Sequence, residues 1–321
     1  MTVLVTWGSW YVWSHMAKKL KDKWVDYKII TRSKHNVQRF WDDFVNKVEE
    51  VDLLDKTEIS RVFEKYNIEA VFHLASLTSP RESIPNSEDY IKKNNLMLIN
   101  LLEVMKFNKV WDIIFASTWL VYSAKNSFPL KENMRLESNN PYALSKILWE
   151  NILEGYCRMF DFRWVSARIF NPVWYHLNLQ KDEEIPLNSL FDILVNVVLW
   201  NQNKLIINGI EFDTPDGTCI RDYIDIDDLT ECLYLWYKYL KFQDLGSYDS
   251  FNMWSWYWIS ILELIKIFEE VSWKKINYEV WRWSNWDVSR LESDISKSSK
   301  KLWYYPKHKI KDSVRYMLYN H

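Results

Sequence analysis

The chain has 321 residues, a formal net charge of -2 and an isoelectric point near 6.3, which gives no basic footprint for nucleic acid. No apolar run approaches the roughly 20 residues that cross a bilayer, so no membrane partner is expected. The first residues read as a strand rather than a leader, and Cys157, Cys219 and Cys232 are odd in number and widely spaced. They read as reduced thiols of a cytoplasmic protein, and the six histidines have no ligand spacing, so no metal is expected.

Val3-Leu4-Val5-Thr6 reads as a short buried strand, and a helix begins near Met16-Ala17-Lys18-Lys19-Leu20. Strand, tight turn and helix at the head of a chain is where a dinucleotide fold puts its glycine-rich turn. Here Trp7, Trp10 and Trp13 stand at the G-x-x-G-x-x-G positions. An indole there fills the phosphate site and clashes wherever the backbone needs positive φ.

The same exchange recurs. The chain has 20 Trp and 5 Gly. Average usage gives roughly 22 Gly at this length, close to the two counts together. Trp254-Ser255-Trp256-Tyr257-Trp258 precedes a helix, Trp281 to Trp286 punctuate a loop, and Trp303 stands at a helix C-terminal cap. Most of these Trp are therefore expected to stand for Gly, from a gene in which UGA encodes glycine. The alternative is a truly Trp-rich protein, such as one that stacks carbohydrate on indoles. That reading does not account for the choice of the three fingerprint positions.

Strands are expected at 2–6, 27–31, 47–52, 69–74, 110–117 and 164–169, with helices near 11–21, 57–66, 88–107 and 142–160. Apolar runs alternating with helical periodicity imply a parallel sheet covered on both faces, an α/β Rossmann-type doubly wound architecture. Further helices are expected near 187–201, 227–240, 259–271 and 311–319, building a smaller C-terminal lobe over the sheet's carboxyl edge. No carboxylate ends the second strand; Thr31 stands there beside Arg32 and Lys34. That leaves NADP open beside NAD, and a solvated basic turn explains the residues equally well. Asp52 follows the third strand and is placed to meet adenine, and His73-Leu74-Ala75-Ser76 should run under the cofactor.

The chemical centre lies further on. Ile113-Ile114-Phe115-Ala116-Ser117-Thr118 ends in hydroxyls, and Pro141-Tyr142-Ala143-Leu144-Ser145-Lys146 opens a helix. Tyr142 and Lys146 share one helix face. An ammonium beside a phenol is expected to lower its pKa from near 10. That makes a base for a hydroxyl proton while a hydride leaves the same carbon. Alone the pair is a weak signal, with a surface pair as the ordinary explanation. After a strand ending Ser-Thr, and with a dinucleotide turn, it is specific.

These motifs, with Arg168-Ile169-Phe170-Asn171-Pro172-Val173 and Asp216-Gly217-Thr218-Cys219-Ile220-Arg221-Asp222-Tyr223-Ile224, resemble the extended short-chain dehydrogenases/reductases. Within them the chain is most similar to the NAD-dependent nucleotide-sugar 4-epimerases, over nearly its whole length. The resemblance implies an isomerase that acts on UDP-sugars with tightly bound NAD and works as a homodimer. The lobes implied are 1–170 with 224–252 for NAD, and 171–223 with 253–321 for the UDP-sugar. It implies that Tyr142 is the base, that Lys146 tunes it and binds the nicotinamide ribose, and that Thr118 bonds the sugar 4-hydroxyl. The cofactor would meet Trp7, Trp10, Tyr11, Val12 and Trp13, then Thr31, Asp52, Leu53, Leu74, Ala75, Ser76 and Thr78. It would also meet Asn94, Ser117, Tyr142, Lys146 and Phe170. Asn171, Asn188, Arg221, Tyr223, Arg282 and Asp287 would hold the nucleotide-sugar, beside Thr118 and Tyr142. The family's arginine three residues before Asp287 is here Ser284, with Arg282 two earlier, and Leu291 stands at the family's hexose size gate. Sugar 4,6-dehydratases place Asp-Glu after the threonine, whereas Trp119-Leu120 follows Thr118 here, which argues against elimination of water. A plain ketone reductase leaves the region around Arg221 and Tyr223 without a purpose, and a dead scaffold requires literal tryptophans.

Overall fold

The computed structural model describes residues 1–6, 12–33, 42–173, 189–199, 204–253, 255, 258–281 and 288–319, with the side chains of 42, 43 and 45 left out. The chain opens with β1 (Thr2–Thr6), α1 (Val12–Asp22), β2 (Tyr27–Thr31), β3 (Val48–Glu50), α2 (Lys56–Lys65) and β4 (Ile68–His73). A short α3 (Pro80–Ser83), α4 (Ser87–Phe107), β5 (Asp112–Thr118), α5 (Pro141–Phe160) and β6 (Arg163–Ile169) follow. The second half carries β7 (Asn171–Val173), α6 (Leu190–Leu199), β8 (Leu205–Asn208), β9 (Ile220–Asp225), α7 (Ile226–Leu240) and β10 (Tyr248–Met253). It ends with β11 (Trp258–Ser260), α8 (Ile261–Ser272), β12 (Tyr278–Trp281), α9 (Ser296–Leu302) and α10 (Ile310–Tyr319).

Seven strands form one parallel sheet in the order β10-β6-β5-β4-β1-β2-β3. The strand order reverses between β1 and β4, the switch point at which open α/β sheets bind ligands. Alternation along β1 sends Val3 and Val5 into the core shared with α1 and α7, and Leu4 into the core shared with α2, α4 and α5. Both sheet faces are thus covered, as the apolar runs implied. Two small sheets lie beyond: β11-β9-β7, and β12 with β8. The expected boundary at 223/224 falls inside β9, which pairs with β7 and β11 in one of them. The expected helix at 259–271 starts two residues later because Trp258–Ser260 is strand; Ser260 then caps α8, with Glu263 completing a capping box. Among the described residues no helix is long and apolar enough to cross a membrane.

Helix ends expose a second pattern. Among the described residues, five that are not glycine have positive φ, and three of those are Trp24 (57°), Trp273 (58°) and Trp303 (52°). Each follows a helix, where glycine is the usual residue. Val25 N–H closes back on Leu20 O at 3.0 Å and Trp273 N–H on Glu269 O at 2.9 Å, so these are true helix caps. The three indoles are 96%, 90% and 90% exposed and pack on almost nothing. In the core, Trp149, Trp164 and Trp236 are buried with indole N–H groups that have no hydrogen-bond partner among the described residues. A buried indole N–H ordinarily finds one.

Candidate active site

The site begins where β5 meets α5. Asn140 caps α5, its side chain accepting from Ala143 N–H at 2.8 Å, and Pro141 occupies the first turn. That cap fixes Tyr142 in the first turn and Lys146 one turn on, both buried. The Tyr142 phenol faces the side chain of Thr118, the last residue of β5, which favours its charged form. Lys146 Nζ donates to Ala116 O at 2.9 Å and lies 5.9 Å from the Tyr142 ring centre. Ser117, between them, is buried and donates to Glu150 at 2.9 Å.

The electrostatics differ from the expected ones. Burial pushes the Tyr142 phenol up to about 12, against the effect of the Thr118 side chain and with Tyr90 adding to the rise. Burial also pulls the Lys146 amine down to about 7. The lysine therefore does not lower the phenol's pKa in the protein by itself. It is desolvated, it turns toward a carbonyl, and its nitrogen sits 3.9 Å from the Trp149 ring centre.

On the cofactor side, Thr6 organises the end of β4. Its Oγ1 pairs with His73 Nδ1 at 3.0 Å and accepts from the Leu74 and Ala75 N–H groups, both at 3.0 Å. Among the described residues, Ser76 Oγ is buried with no hydrogen-bond partner, three residues past the end of β4. Thr78 is exposed. Asn94 is buried, but its amide bonds both backbone groups of Leu77 and the Ser145 hydroxyl, so it holds the loop after β4. Thr31 ends β2, and its hydroxyl accepts from Ser33 N–H at 3.3 Å. The Asp52 carboxylate accepts from Leu54 N–H at 2.9 Å, beside buried Leu53. Val12 and Trp13 start α1 and are buried, the indole in the core. Trp7, Trp10, Tyr11, Asn188, Arg282 and Asp287 lie outside the described residues.

On the substrate side, β7 begins two residues after β6, whose Ile169 pairs with Thr118. Asn171 pairs with Tyr223 in the β7–β9 register, and Asn171 Nδ2 donates to Asp222 O at 2.7 Å. Arg221 donates to Val288 O at 2.8 Å and to Ile220 O at 3.0 Å. Tyr223 is buried against Phe191, with ring centres 5.0 Å apart. The turn before β9 uses a genuine glycine: Gly217 has φ 78°, and a Cβ there would lie 2.1 Å from Ile210 O. Phe170 and Leu291 are buried together in a third cluster with Val121 and Leu130. Asn171, Arg221 and Tyr223 thus gather beside the carboxyl edge that carries Thr118.

Sequence reasoning missed the layer beneath. Glu150, Arg168, Tyr122 and Asn252 form a buried polar network under Ser117. The available signal was Glu150 lying four residues after Lys146, which puts it on the same helix face.

The pattern of the NAD dependent epimerase/dehydratase family matches residues 3–251. The UDP-glucose 4-epimerase of Erwinia amylovora is 30% identical, covering 94% of this chain and 92% of its own. That of Mus musculus is 31% identical, covering 92% and 87%. The crystal structure of UDP-glucose 4-epimerase from Bifidobacterium longum in complex with NAD+ and UDP superposes with a TM-score of 0.84 at 27% identity, covering 99% and 97%. With the switch point, the tyrosine–lysine pair and the adjoining small sheet in place, the chain belongs to the NAD dependent epimerase/dehydratase family.

Proposed function

We propose that the chain is an NAD-dependent UDP-hexose 4-epimerase that interconverts UDP-galactose and UDP-glucose. The observation that carries this is Thr118, Tyr142 and Lys146 at the carboxyl edge of β5, beside a separate sheet presenting Asn171, Arg221 and Tyr223. The unsatisfied Ser76 hydroxyl and the reversal of strand order between β1 and β4 fit a dinucleotide. NAD, when bound, supplies a hydride acceptor and a positive charge that favours the Tyr142 phenolate. Thr118 orients the sugar hydroxyl, Tyr142 takes and returns its proton, and Lys146 holds the ribose side of the site. The hexose must present both faces of one carbon while its diphosphate stays held, which suits a guanidinium at Arg221. Leu291, buried beside Phe170, makes N-acetylated hexoses the second substrates to try, and Thr31 beside Arg32 makes NADP the second cofactor to try. UDP-galactose and UDP-glucose should approach one equilibrium mixture from either side with no net change in nicotinamide absorbance. Accumulated NADH, or a product that has lost water, refutes the reading.

We further propose that the protein made in its source cell carries glycine at most tryptophan positions, including 7, 10 and 13. The composition, the three exposed tryptophans with positive φ and the unpartnered buried indoles support this. The literal chain should then fail to bind NAD, because backbone amides must reach the pyrophosphate at a helix N-terminus. Trp7→Gly, Trp10→Gly and Trp13→Gly together should restore binding; UGG codons at these positions would sink the idea. We also propose a cytoplasmic homodimer with separate NAD and UDP-sugar lobes, divided close to the bounds the sequence implies but with the whole of β9 in the UDP-sugar lobe. Three free buried cysteines support the compartment. Partly exposed Leu96 and Ile99 on α4, with Leu144 on the neighbouring α5, support the subunit contact.

A further inference from the structure

We propose that Glu150 is a positioning residue for the Tyr142–Lys146 pair, an inference that rests on the epimerase reading above. Tyr142, Lys146 and Glu150 are spaced by four, so α5 presents them as one stripe. Each is fixed to a different one of the last three residues of β5. The phenol meets the Thr118 side chain, the Lys146 amine donates to Ala116 O at 2.9 Å, and Glu150 Oε1 accepts from Ser117 Oγ at 2.9 Å. The register of the helix on the strand is therefore set by three polar contacts in a row. Glu150 supplies the buried anchor furthest along the helix from its N-terminus.

The carboxylate reaches past β5. It accepts from Ser166 Oγ at 2.8 Å, from Arg168 Nε at 3.0 Å and from a terminal Arg168 nitrogen at 2.6 Å. In the sheet, Ser117 is paired with Arg168 and Arg168 with Asn252, so one polar row crosses β5, β6 and β10 under the helix. Arg168 donates onward to the Tyr122 hydroxyl at 2.9 Å and to Glu132 O at 2.9 Å. Tyr122 donates to Asn252 at 2.6 Å, and the Asn252 amide donates to Leu130 O at 2.9 Å and Asp294 O at 3.3 Å. Leu130 in turn takes its N–H to Glu292 O at 2.8 Å, four residues after Val288, whose carbonyl holds Arg221. One carboxylate therefore sets the helix that carries the base against the strand that carries Thr118. Through Arg168 it also ties both to the segment that holds the diphosphate ligand. Glu150 does not face the reacting atoms; it acts through Ser117 and Arg168.

The test is made in the full chain with glycine at positions 7, 10 and 13. Ser117→Ala removes one contact and leaves the buried ion pair intact. Glu150→Gln keeps an acceptor oxygen for the serines and loses charge toward Arg168. Both should retain the parental KM for UDP-galactose, and Glu150→Gln, which does not touch the cofactor, should also retain bound NAD. Each should lower kcat by about tenfold or more, the scale of a small misplacement of a reacting group. Glu150→Leu, if it folds, should fall below Glu150→Gln. Parental kcat in both Ser117→Ala and Glu150→Gln overturns the proposal. So does a rise in KM that matches the fall in kcat, since that reports general damage. A parent that does not epimerise refutes the functional reading instead, and this proposal with it.

Discussion

Replacing Trp24, Trp273 and Trp303 by glycine should stabilise the protein, although it deletes three large side chains. The indoles are 96%, 90% and 90% exposed, so their removal returns almost no apolar surface to water. Their backbones sit at φ 57°, 58° and 52°. Holding an L-residue in that region costs about 1–2 kcal/mol. Glycine removes the cost but frees the unfolded chain, a loss of roughly 0.5–1 kcal/mol. The difference is about 0.5–1 kcal/mol at each cap; the caps follow three separate helices, so the effects should add to about 2 kcal/mol. The assay is urea unfolding of the glycine triple against the parent and against an alanine triple. Alanine also removes the indole but keeps Cβ in the unfavourable conformation, so its midpoint should stay near that of the parent. A glycine triple no more stable than the alanine triple would refute the assignment of these caps to glycine.

Tyr142→Phe should keep bound cofactor and nucleotide-sugar and lose turnover, since the ring still packs and only the proton acceptor is gone; a near-parental rate removes Tyr142 from its role. Arg221→Ala should weaken UDP-sugar binding by a few kcal/mol, measured by calorimetry, because it leaves a phosphate without its charge-assisted partner. Arg168→Leu should cost about 3–5 kcal/mol of stability, because it strands the Glu150 carboxylate in the core; unchanged thermal unfolding contradicts that. Lys146 titrates near 7 in the folded chain against an ordinary 10.5, so between these values the unfolded chain binds more protons and stability rises with pH. Lys146→Met should abolish that rise in the cofactor-free protein and stabilise it at neutral pH, as followed by urea midpoints across the range.

The first half of the fold was legible because each parallel strand is a short apolar run bounded by a helix with its own period. Asp112–Thr118 and Pro141–Phe160 were placed within two residues. The strands of the second half were not. Asn171–Val173 and Trp258–Ser260 have three residues each, too few for alternation to register. Their pairing depends on partners far along the chain. The positions of Tyr142, Lys146 and Thr118 were legible from spacing, but their ionisation was not. A lysine four residues from a tyrosine looks like a cation beside a phenol, yet burial draws the amine down to about 7 and pushes the phenol up to about 12. Spacing fixes which groups meet, while the degree of desolvation decides which of them is charged.

The tryptophans show the converse case, in which sequence and backbone speak to the same question independently. Counting Trp against Gly says that the composition is displaced, but it cannot say at which positions. The backbone can, because φ near +55° after a helix is a demand of chain geometry that holds whatever side chain is written there. Lys109 and Asp161 meet the same demand with residues other than tryptophan, so positive φ alone does not mark an exchange. What marks it is positive φ together with an indole that packs on nothing, as at 24, 273 and 303. Trp149, Trp164 and Trp236 are a different class: buried, well packed and short of a partner for one N–H each. Glycine at those three sites opens cavities in the core, so the neighbouring side chains of α5, β6 and α7 must close over them. Glycine at position 149 would also remove the indole whose ring centre lies 3.9 Å from Lys146 Nζ, and with it part of the burial that lowers the amine's pKa. The Lys146 titration measured in the native protein should then lie above that of the literal chain. Equal values in the two would show that the indole has no part in holding the amine neutral.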